Sequence, residues 1–203
     1  MNPGQLTLES TGPQARSGDL STEPERPQGI RTAPDVLTVP QERELLERFE
    51  TLRWEEISFH GQVARRTARH FGLGYDYQSR VPLPGDQIPD WLEPPRRAAA
   101  ALAQVTPESL VEILVQRYPP GAGIGWHRDA PAFGLVVGLS LHGPARLRLR
   151  RGRQGERRTW EVRLEPRSGY LLADEARWRW EHSIPPGKEL RYSITFRTLR
   201  DPG

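Results

Sequence analysis

Polar and apolar residues alternate along much of the second half of the chain, with the period of two that is typical of strands with one buried face. Each alternating stretch is short and ends at Gly, Pro or charged residues. The stretches predict strands over residues 110–118, 134–141, 145–150, 159–164, 170–173 and 190–198. Short strands that follow a helical region indicate a mostly β fold with flanking helices. We expect a double-stranded β-helix barrel of the jelly-roll, cupin-like type.

The first half of the chain has helical spacing instead. Apolar residues recur at helical intervals behind Pro40 and an acidic turn, which predicts a helix over residues 40–49. A short strand is predicted over 57–59 and a second helix over 96–102. Residues 72–95 are rich in Gly, Pro and aromatic side chains, which predicts a long loop, and loops of that length usually carry a function.

The first residues of the chain lack the apolar content of the rest. Residues 1–34 contain scattered prolines and glycines and few large apolar side chains. Such a segment buries too little surface to offset the entropy lost on ordering. We therefore predict a disordered tail over 1–34, followed by one domain over 35–203.

Composition excludes several classes of protein. The 203 residues are enough for one domain with a sizeable core, and the absence of cysteine excludes disulfides and thiolate metal sites. There is no run of about 18 apolar residues, and the N-terminus lacks the layout of a secretion signal. We expect a cytoplasmic monomer with no membrane partner.

The chain is basic overall, which is typical of proteins with an anionic partner such as nucleic acid. Its net charge is +3 and its pI is near 9.7. All of the basic residues except Lys188 are arginines, however, and a genomic codon bias also produces that composition. The total charge therefore carries little weight.

The chemistry is indicated by His127 and Asp129, which stand two residues apart, and by His182 much later in the chain. In an extended segment the first two side chains project from one face. Two imidazoles and one carboxylate form the facial triad that holds Fe(II) and leaves positions open for substrate and oxygen. Two alternatives stay open: a catalytic zinc site with the same donors, and polar surface residues with no metal.

A second constellation lies in the strand predicted over 190–198. Its period of two places Arg191, Ser193, Thr195 and Arg197 on one face. That face is either the solvated side of an edge strand or the lining of a barrel interior. In an interior, the two arginines would require anions, because burying an unpaired charge is very costly. A 2-oxo dicarboxylate that also chelates the metal would satisfy them.

Taken together, these motifs resemble the AlkB family of Fe(II)- and 2-oxoglutarate-dependent dioxygenases, over a match from about Asp35 to Arg200. The stretch from Phe71 to Pro84 looks closer to the tRNA-modifying and uncharacterised bacterial branches of that family than to its best-known DNA-repair members. The resemblance rests on Gln116-Arg117-Tyr118, His127-Arg128-Asp129, Val137-Gly138-Leu139-Ser140-Leu141, Glu175-Ala176-Arg177, Trp180-Glu181-His182 and Arg191-Tyr192-Ser193-Ile194-Thr195-Phe196-Arg197.

The resemblance implies a role for each matching residue. The iron ligands would be His127, Asp129 and His182. Arg191 would pair with the far carboxylate of 2-oxoglutarate, and Tyr118 would form a hydrogen bond to it. Near the iron-bound end of the co-substrate would lie Arg197, with Ser193 and Gln116 nearby. The implied reaction uses Fe(II), 2-oxoglutarate and O2, releases succinate and CO2, and demethylates or hydroxylates a nucleobase in DNA or RNA.

The chain departs from the family pattern at three positions. Gln116 and Ser193 stand where members commonly have Asn, and both should be compatible with 2-oxoglutarate. Pro131 stands where the repair enzymes have an acidic residue that can contact the methylated base. That difference puts repair of the usual alkylated bases in doubt.

Two features are candidates for substrate contacts. Tyr75 and Tyr77 could hold an extracted base or simply pack their own loop. Arg146, Arg148 and Arg150 begin an arginine-rich strand pair that turns near Gly152 and Gly155, and it could follow a phosphate backbone or form a solvated edge. Two other functions stay open: the same oxidation of a protein side chain, and a nucleic-acid-binding module with a vestigial iron site.

Overall fold

The computed structural model describes residues 26–59, 62–76, 81–153 and 156–200. Within these ranges no helix is long and apolar enough to cross a membrane. The strands are β1 (Ile30–Ala33), β2 (Glu55–Phe59), β3 (Gln62–Asp76), β4 (Val81–Pro84), β5 (Leu110–Tyr118), β6 (Ile124–His127), β7 (Phe133–Leu141), β8 (Ala145–Arg151), β9 (Arg158–Leu164), β10 (Gly169–Leu172), β11 (Glu181–Ile184) and β12 (Arg191–Leu199). The helices are α1 (Val39–Glu50), α2 (Glu93–Ala103) and α3 (Asp174–Trp178), with 3-10 turns at Asp90–Leu92 and Pro107–Ser109.

The strands form two antiparallel sheets with a buried layer between them. The larger sheet has the order β1-β10-β7-β12-β5-β3-β2, with β4 paired to β3, and the smaller sheet has the order β6-β11-β8-β9. Leu147 and Leu149 of the smaller sheet share one buried cluster with Val136 and Leu172 of the larger sheet. The predicted mostly β, double-stranded β-helix fold is confirmed.

Helix α1 covers the outer face of the larger sheet, as its spacing predicts. Thr38 caps the helix: its hydroxyl accepts the Gln41 N–H at 3.3 Å, and the Gln41 side chain accepts the Thr38 N–H at 2.8 Å. The buried side chains Leu45 and Phe49 lie in one core cluster with Phe196 of β12. The helix thereby fixes the position of the strand that carries both candidate arginines.

Strand β12 is central in the larger sheet, with β5 on one side and β7 on the other. Its apolar face, which includes Ile194 and Phe196, lies in the core beneath the helices. Its polar face points into the barrel, where Arg191 and Thr195 are each 5% exposed. The alternative of a solvated edge strand is therefore wrong.

The predicted N-terminal boundary is also wrong. Residues Ile30–Ala33 form β1 and pair with β10, with Ile30 opposite Leu172. A four-residue strand with one buried apolar side chain, Ile30, gives too short a pattern to be recognised among prolines and glycines. The ordered domain thus begins before Asp35, and residues 1–25 lie outside the described residues.

The predicted loop over 72–95 is wrong for much of its length. Strand β3 continues to Asp76, and β4 pairs with it, with Gly74 opposite Leu83. Gly72 allows the strand to continue past a tight contact, because a Cβ atom there would lie 2.2 Å from the Val111 carbonyl oxygen. The Gly and Pro content therefore marks a close backbone approach and a hairpin.

Candidate metal centre

Two short strands bring the candidate metal ligands together. His127 ends β6 and His182 lies in β11, and these two residues face each other in the antiparallel register. Asp129 follows two residues after His127, and the ligand atoms of all three lie within 4.8 Å of one another. The predicted triad is therefore assembled by cross-strand pairing, which explains how two distant segments can form one site.

The protonation states of the triad suit a divalent cation. Burial lowers the pKa of His182 to about 3 and also lowers that of His127, so both imidazoles are neutral at pH 7. Burial alone would raise the pKa of the Asp129 carboxyl, but the surrounding basic side chains, Arg197 first among them, together outweigh it and hold this pKa well below its usual range. The set therefore offers two neutral nitrogens and one carboxylate, with no proton to displace.

The ligand atoms are oriented by neighbouring groups. His127 Nδ1 lies 2.9 Å from the Gly125 carbonyl oxygen, which places the proton on Nδ1 and leaves the Nε2 lone pair available. Arg197 donates to Asp129 Oδ1 from Nε at 2.9 Å and from Nη2 at 2.5 Å. Asp129 Oδ2 is buried without a hydrogen-bond partner and lies 3.4 Å from His182 Nε2. A cation at this oxygen would satisfy it.

Arg197 is held from its other side by Glu112, a residue that our sequence reasoning missed. Glu112 lies opposite Arg197 in the β5–β12 register and is 2% exposed. Its two carboxylate oxygens accept from Arg197 Nη1 at 2.8 and 2.6 Å. Arg197 thus bridges two buried carboxylates: its Nε and Nη2 donate to the candidate metal ligand Asp129, and its Nη1 donates to Glu112.

The second candidate arginine has a donor without a partner. Arg191 is 5% exposed, donates from Nε to Ser140 Oγ at 3.0 Å, and stacks over the Tyr118 ring at 5.0 Å. Its Nη1 is buried and has no hydrogen-bond partner. A buried guanidinium in this state requires an anion, and a carboxylate matches its planar fork. Arg191 is therefore suited to the far carboxylate of a dicarboxylic co-substrate.

The triad and the arginines line one cavity of about 110 Å³. Tyr118 donates its hydroxyl proton to Gln116 Oε1 at 3.1 Å on one wall of this cavity. Every residue predicted to bind the metal or the co-substrate contributes to the lining. The full set is Arg66, Leu114, Gln116, Tyr118, Ile124, His127, Arg128, Asp129, Val136, Tyr170, His182, Ile184, Arg191, Ser193, Thr195 and Arg197.

A buried arginine fixes the loop that follows Asp129. Arg177, on α3, is 3% exposed and donates to the carbonyl oxygens of Ala130, Phe133 and Gly134 at 2.7 to 2.8 Å. These bonds connect α3 to the segment between β6 and β7. Arg177 therefore holds the backbone of the metal-binding segment without touching the metal position.

Arg146, Arg148 and Arg150, three of the predicted substrate contacts, are not among the residues that line this cavity. Tyr75 belongs to β3, opposite Pro82, and Tyr77 lies outside the described residues, so both contacts remain predictions. The hairpin of β8 and β9 is confirmed, with Arg148 opposite Glu161. Its arginines lie on the outer side of the smaller sheet.

Acidic neighbours reduce the positive charge of this hairpin. Arg146 lies 3.7 Å from Glu161, and Arg150 lies 2.6 Å from Glu181. Arg148 instead stacks over the ring of Trp126 at 4.9 Å. The arginine run is therefore less cationic in the fold than it is along the sequence.

Comparison with protein families agrees with this geometry. A profile of the 2OG-Fe(II) oxygenase superfamily matches residues 29–197. The chain belongs to this superfamily. It is therefore an oxidoreductase of a family that uses Fe(II), 2-oxoglutarate and O2, and the catalytic-zinc alternative loses its support. The intact donor set also fits this cofactor, because Asp129 Oδ2 and Arg191 Nη1 are the two groups that need a cation and an anion.

Curated relatives of the oxygenase confirm the resemblance to the AlkB family. It is 25% identical over 189 residues to the uncharacterized protein L905 of Acanthamoeba polyphaga mimivirus, covering 84% of this chain and 85% of the viral protein. It is 27% identical over 212 residues to the alkylated DNA repair protein ALKBH8 homolog of Arabidopsis thaliana, covering 85% and 59%. It is 26% identical to the tRNA (carboxymethyluridine(34)-5-O)-methyltransferase ALKBH8 of Mus musculus. That alignment spans 173 residues and covers 80% of the oxygenase but 25% of the mouse protein.

Solved structures share the fold of the oxygenase at low identity. OsALKBH1 superposes with a TM-score of 0.67 and 16% identity, covering 86% of this chain and 98% of that one. A prolyl hydroxylase from Trichoplax adhaerens gives a TM-score of 0.58 and 15% identity, covering 84% and 83%. A protein named as a prolyl hydroxylase therefore shares this barrel.

Proposed function

We propose that this oxygenase oxidises a nucleobase in DNA or RNA, by demethylation or hydroxylation, with release of succinate and CO2. The observation that carries the oxygenase chemistry is one cavity that holds both an unpartnered carboxylate oxygen, Asp129 Oδ2, and an unpartnered guanidinium nitrogen, Arg191 Nη1. One group requires a cation and the other an anion. Fe(II) and 2-oxoglutarate together meet both requirements.

The residues of the cavity would divide the work. His127, Asp129 and His182 would hold Fe(II), and the Arg197 clamp would leave Asp129 Oδ2 as the ligand oxygen. Bound iron and 2-oxoglutarate would supply the oxidising chemistry, in which one oxygen atom enters succinate and the other a substrate C–H bond.

At the opposite end of the cavity, Arg191 would orient the far carboxylate of the co-substrate. Ser140 fixes this guanidinium from one side and the Tyr118 ring supports its face. Tyr118 and Gln116 would form the polar wall beside it. The side chains that line the cavity would also keep water from the reacting groups.

Nucleic acid is the proposed substrate for two reasons. The Arabidopsis and mouse relatives are named for DNA repair and for tRNA modification. In addition, Trp126 precedes the ligand His127, and the guanidinium groups of Arg148 and Arg150 lie 4.9 and 4.4 Å from its ring. An aromatic ring with cations beside it suits both the bases and the phosphates of a single strand.

Succinate and formaldehyde release by the purified protein tests the proposal. The protein is incubated with Fe(II), ascorbate and 2-oxoglutarate, alone or with methylated DNA oligonucleotides, methylated RNA oligonucleotides or peptides, beside a His127→Ala variant. Succinate that rises with an oligonucleotide and disappears in the variant supports the proposal. Formaldehyde identifies demethylation of a nitrogen, because a hydroxylated N-methyl group releases it. Succinate that rises only with peptide substrates would replace nucleic acid by a protein side chain.

A further inference from the structure

Two arginines at the candidate metal cavity have no role in the site described above. Arg66, on β3, lines the cavity and donates from Nε to Gln116 Oε1 at 3.2 Å. Arg128 lies between two of the metal ligands, is exposed, and donates to the Trp178 carbonyl oxygen at 3.3 Å. No acidic partner of either arginine is found among the described residues within salt-bridge distance.

The other charges of the cavity cancel when the site is loaded. The two positive charges of Fe(II) balance the two negative charges of 2-oxoglutarate. The carboxylates of Asp129 and Glu112 balance the guanidinium groups of Arg191 and Arg197. Arg66 and Arg128 therefore leave a net positive charge at this cavity.

No carboxylate offsets that charge from the cavity wall. Among the described residues that line the cavity, Asp129 is the only acidic one, and it is committed to Arg197 and the metal position. Pro131, two residues after Asp129, is exposed and outside the lining. A positively charged base would meet two like charges and no counter-charge.

We propose that Arg66 and Arg128 set the substrate class of this site, which deepens the proposed function and rests on it. The site takes a nucleotide that presents an anionic oxygen to the Nη groups of Arg66, either a carboxylate on the base or the nucleotide's own phosphate. It discriminates against N-methylated bases that carry a positive charge. Arg66 selects by a charge-assisted hydrogen bond, and Arg128 adds repulsion of cations.

The test compares oligonucleotides that differ in charge at one base. A 1-methyladenine base is positively charged and N6-methyladenine is neutral, with the same methyl group on the same ring system. Likewise, 5-carboxycytosine is anionic and 5-methylcytosine is neutral. Dissociation constants are measured by fluorescence anisotropy with protein that holds Mn(II) and 2-oxoglutarate, so that binding is read without turnover. We expect each step from cation to neutral and from neutral to anion to tighten binding by about tenfold, because the first step removes a like-charge repulsion and the second adds a charge-assisted hydrogen bond.

Variants of Arg66 identify the group responsible and the source of the anionic oxygen. Arg66→Gln should remove most of the anion preference, and Arg66→Glu should reverse the order of the two methyladenines. Arg117→Gln, a matched control that removes the same charge from β5 outside the cavity lining, should preserve the order. An oligonucleotide with an abasic site shows whether the base or the phosphate supplies the anionic oxygen. If Arg66→Gln binds the abasic oligonucleotide more weakly than the wild type does, the phosphate supplies it. If Arg66→Gln weakens the binding of the 5-carboxycytosine oligonucleotide alone, the base supplies it.

Three results would overturn the proposal, and they distinguish a wrong selectivity from a wrong substrate. If the wild-type protein binds 1-methyladenine at least as tightly as N6-methyladenine, or if Arg66→Glu leaves that ratio unchanged, the selectivity is wrong while the oxygenase function stands. If the loaded protein binds none of the oligonucleotides, the proposed nucleic-acid substrate itself fails.

Discussion

Glu112 is predicted to support the metal site without touching the metal. The substitution Glu112→Gln keeps the size of the side chain but removes the charge that holds Arg197 Nη1 through two contacts at 2.8 and 2.6 Å. A freed Arg197 would be drawn further towards Asp129, the one other carboxylate bonded to it among the described residues. The carboxylate that binds the metal would then lose its fixed orientation.

The size of the effect follows from the burial of these groups. The side chains of Glu112 and Asp129 are 3% and 2% exposed, so water replaces none of the lost interaction. Partners that orient a metal ligand from behind typically change metal affinity by about 10- to 100-fold, which is about 1.4 to 2.8 kcal/mol. We therefore expect the Mn(II) dissociation constant of Glu112→Gln to rise by about 10- to 100-fold.

Isothermal titration of the metal-free protein with Mn(II) at neutral pH measures this effect. Glu161→Gln is the matched control, because it removes the same charge from the exposed face of the smaller sheet, where its side chain is 55% exposed. Thermal unfolding of both variants checks that each is folded at the titration temperature. A folded Glu112→Gln protein that binds Mn(II) within about twofold of the wild type, well below the expected change, would refute the positioning role.

Three further predictions follow from the same contacts. Arg191→Gln should raise the dissociation constant of 2-oxoglutarate by about 10- to 100-fold, because a charged hydrogen-bond donor is lost, and should leave Mn(II) binding unchanged; unchanged co-substrate binding would contradict its role. Arg177→Met should lower the free energy of unfolding in urea by about 3 kcal/mol, because three carbonyl acceptors lose their donor, and a loss below about 1 kcal/mol would be too small for that account. The metal-free protein should lose stability as pH falls below about 6.5, because the unfolded chain takes up a proton at His182 that the folded chain, with a pKa of about 3, does not. Between about pH 6.5 and pH 5, where carboxylates are still ionised, His182→Asn should have a shallower slope of stability against pH, and equal slopes would contradict the assignment.

Local spacing placed His127 and Asp129 together and predicted the polar face of β12, whereas the role of the full triad as iron ligands, including the distant His182, was implied by the resemblance to the AlkB family. His127 and Asp129 share one face of an extended segment, and Arg191 and Arg197 share another, whatever the rest of the chain does. Local spacing could not decide whether the polar face of β12 meets solvent or lines the barrel interior. That choice depended on β5 and β7 flanking β12 on both sides, and pairing between distant strands leaves no local signal.

Glu112 could have been found by the same reasoning that found Arg191. Because side chains alternate along a strand, Glu112 lies on the same face of β5 as Leu114, Gln116 and Tyr118. The strand is otherwise mostly apolar, which predicts that it is buried, and a buried carboxylate requires a positively charged partner. Arg66 could not be found in this way. It lies in β3, whose first half reads as a run of charged and small residues, and its position depends on pairing with β5.

Succinate formation by the iron-loaded protein tests the central claim most directly, when bulk RNA, bulk DNA and a mixed peptide pool are offered separately. The account predicts iron-dependent succinate that rises with one of the nucleic acids, stays at background with peptides, and disappears in His127→Ala. Succinate that rises only with the peptide pool, or no iron-dependent succinate with any of the three, would contradict it.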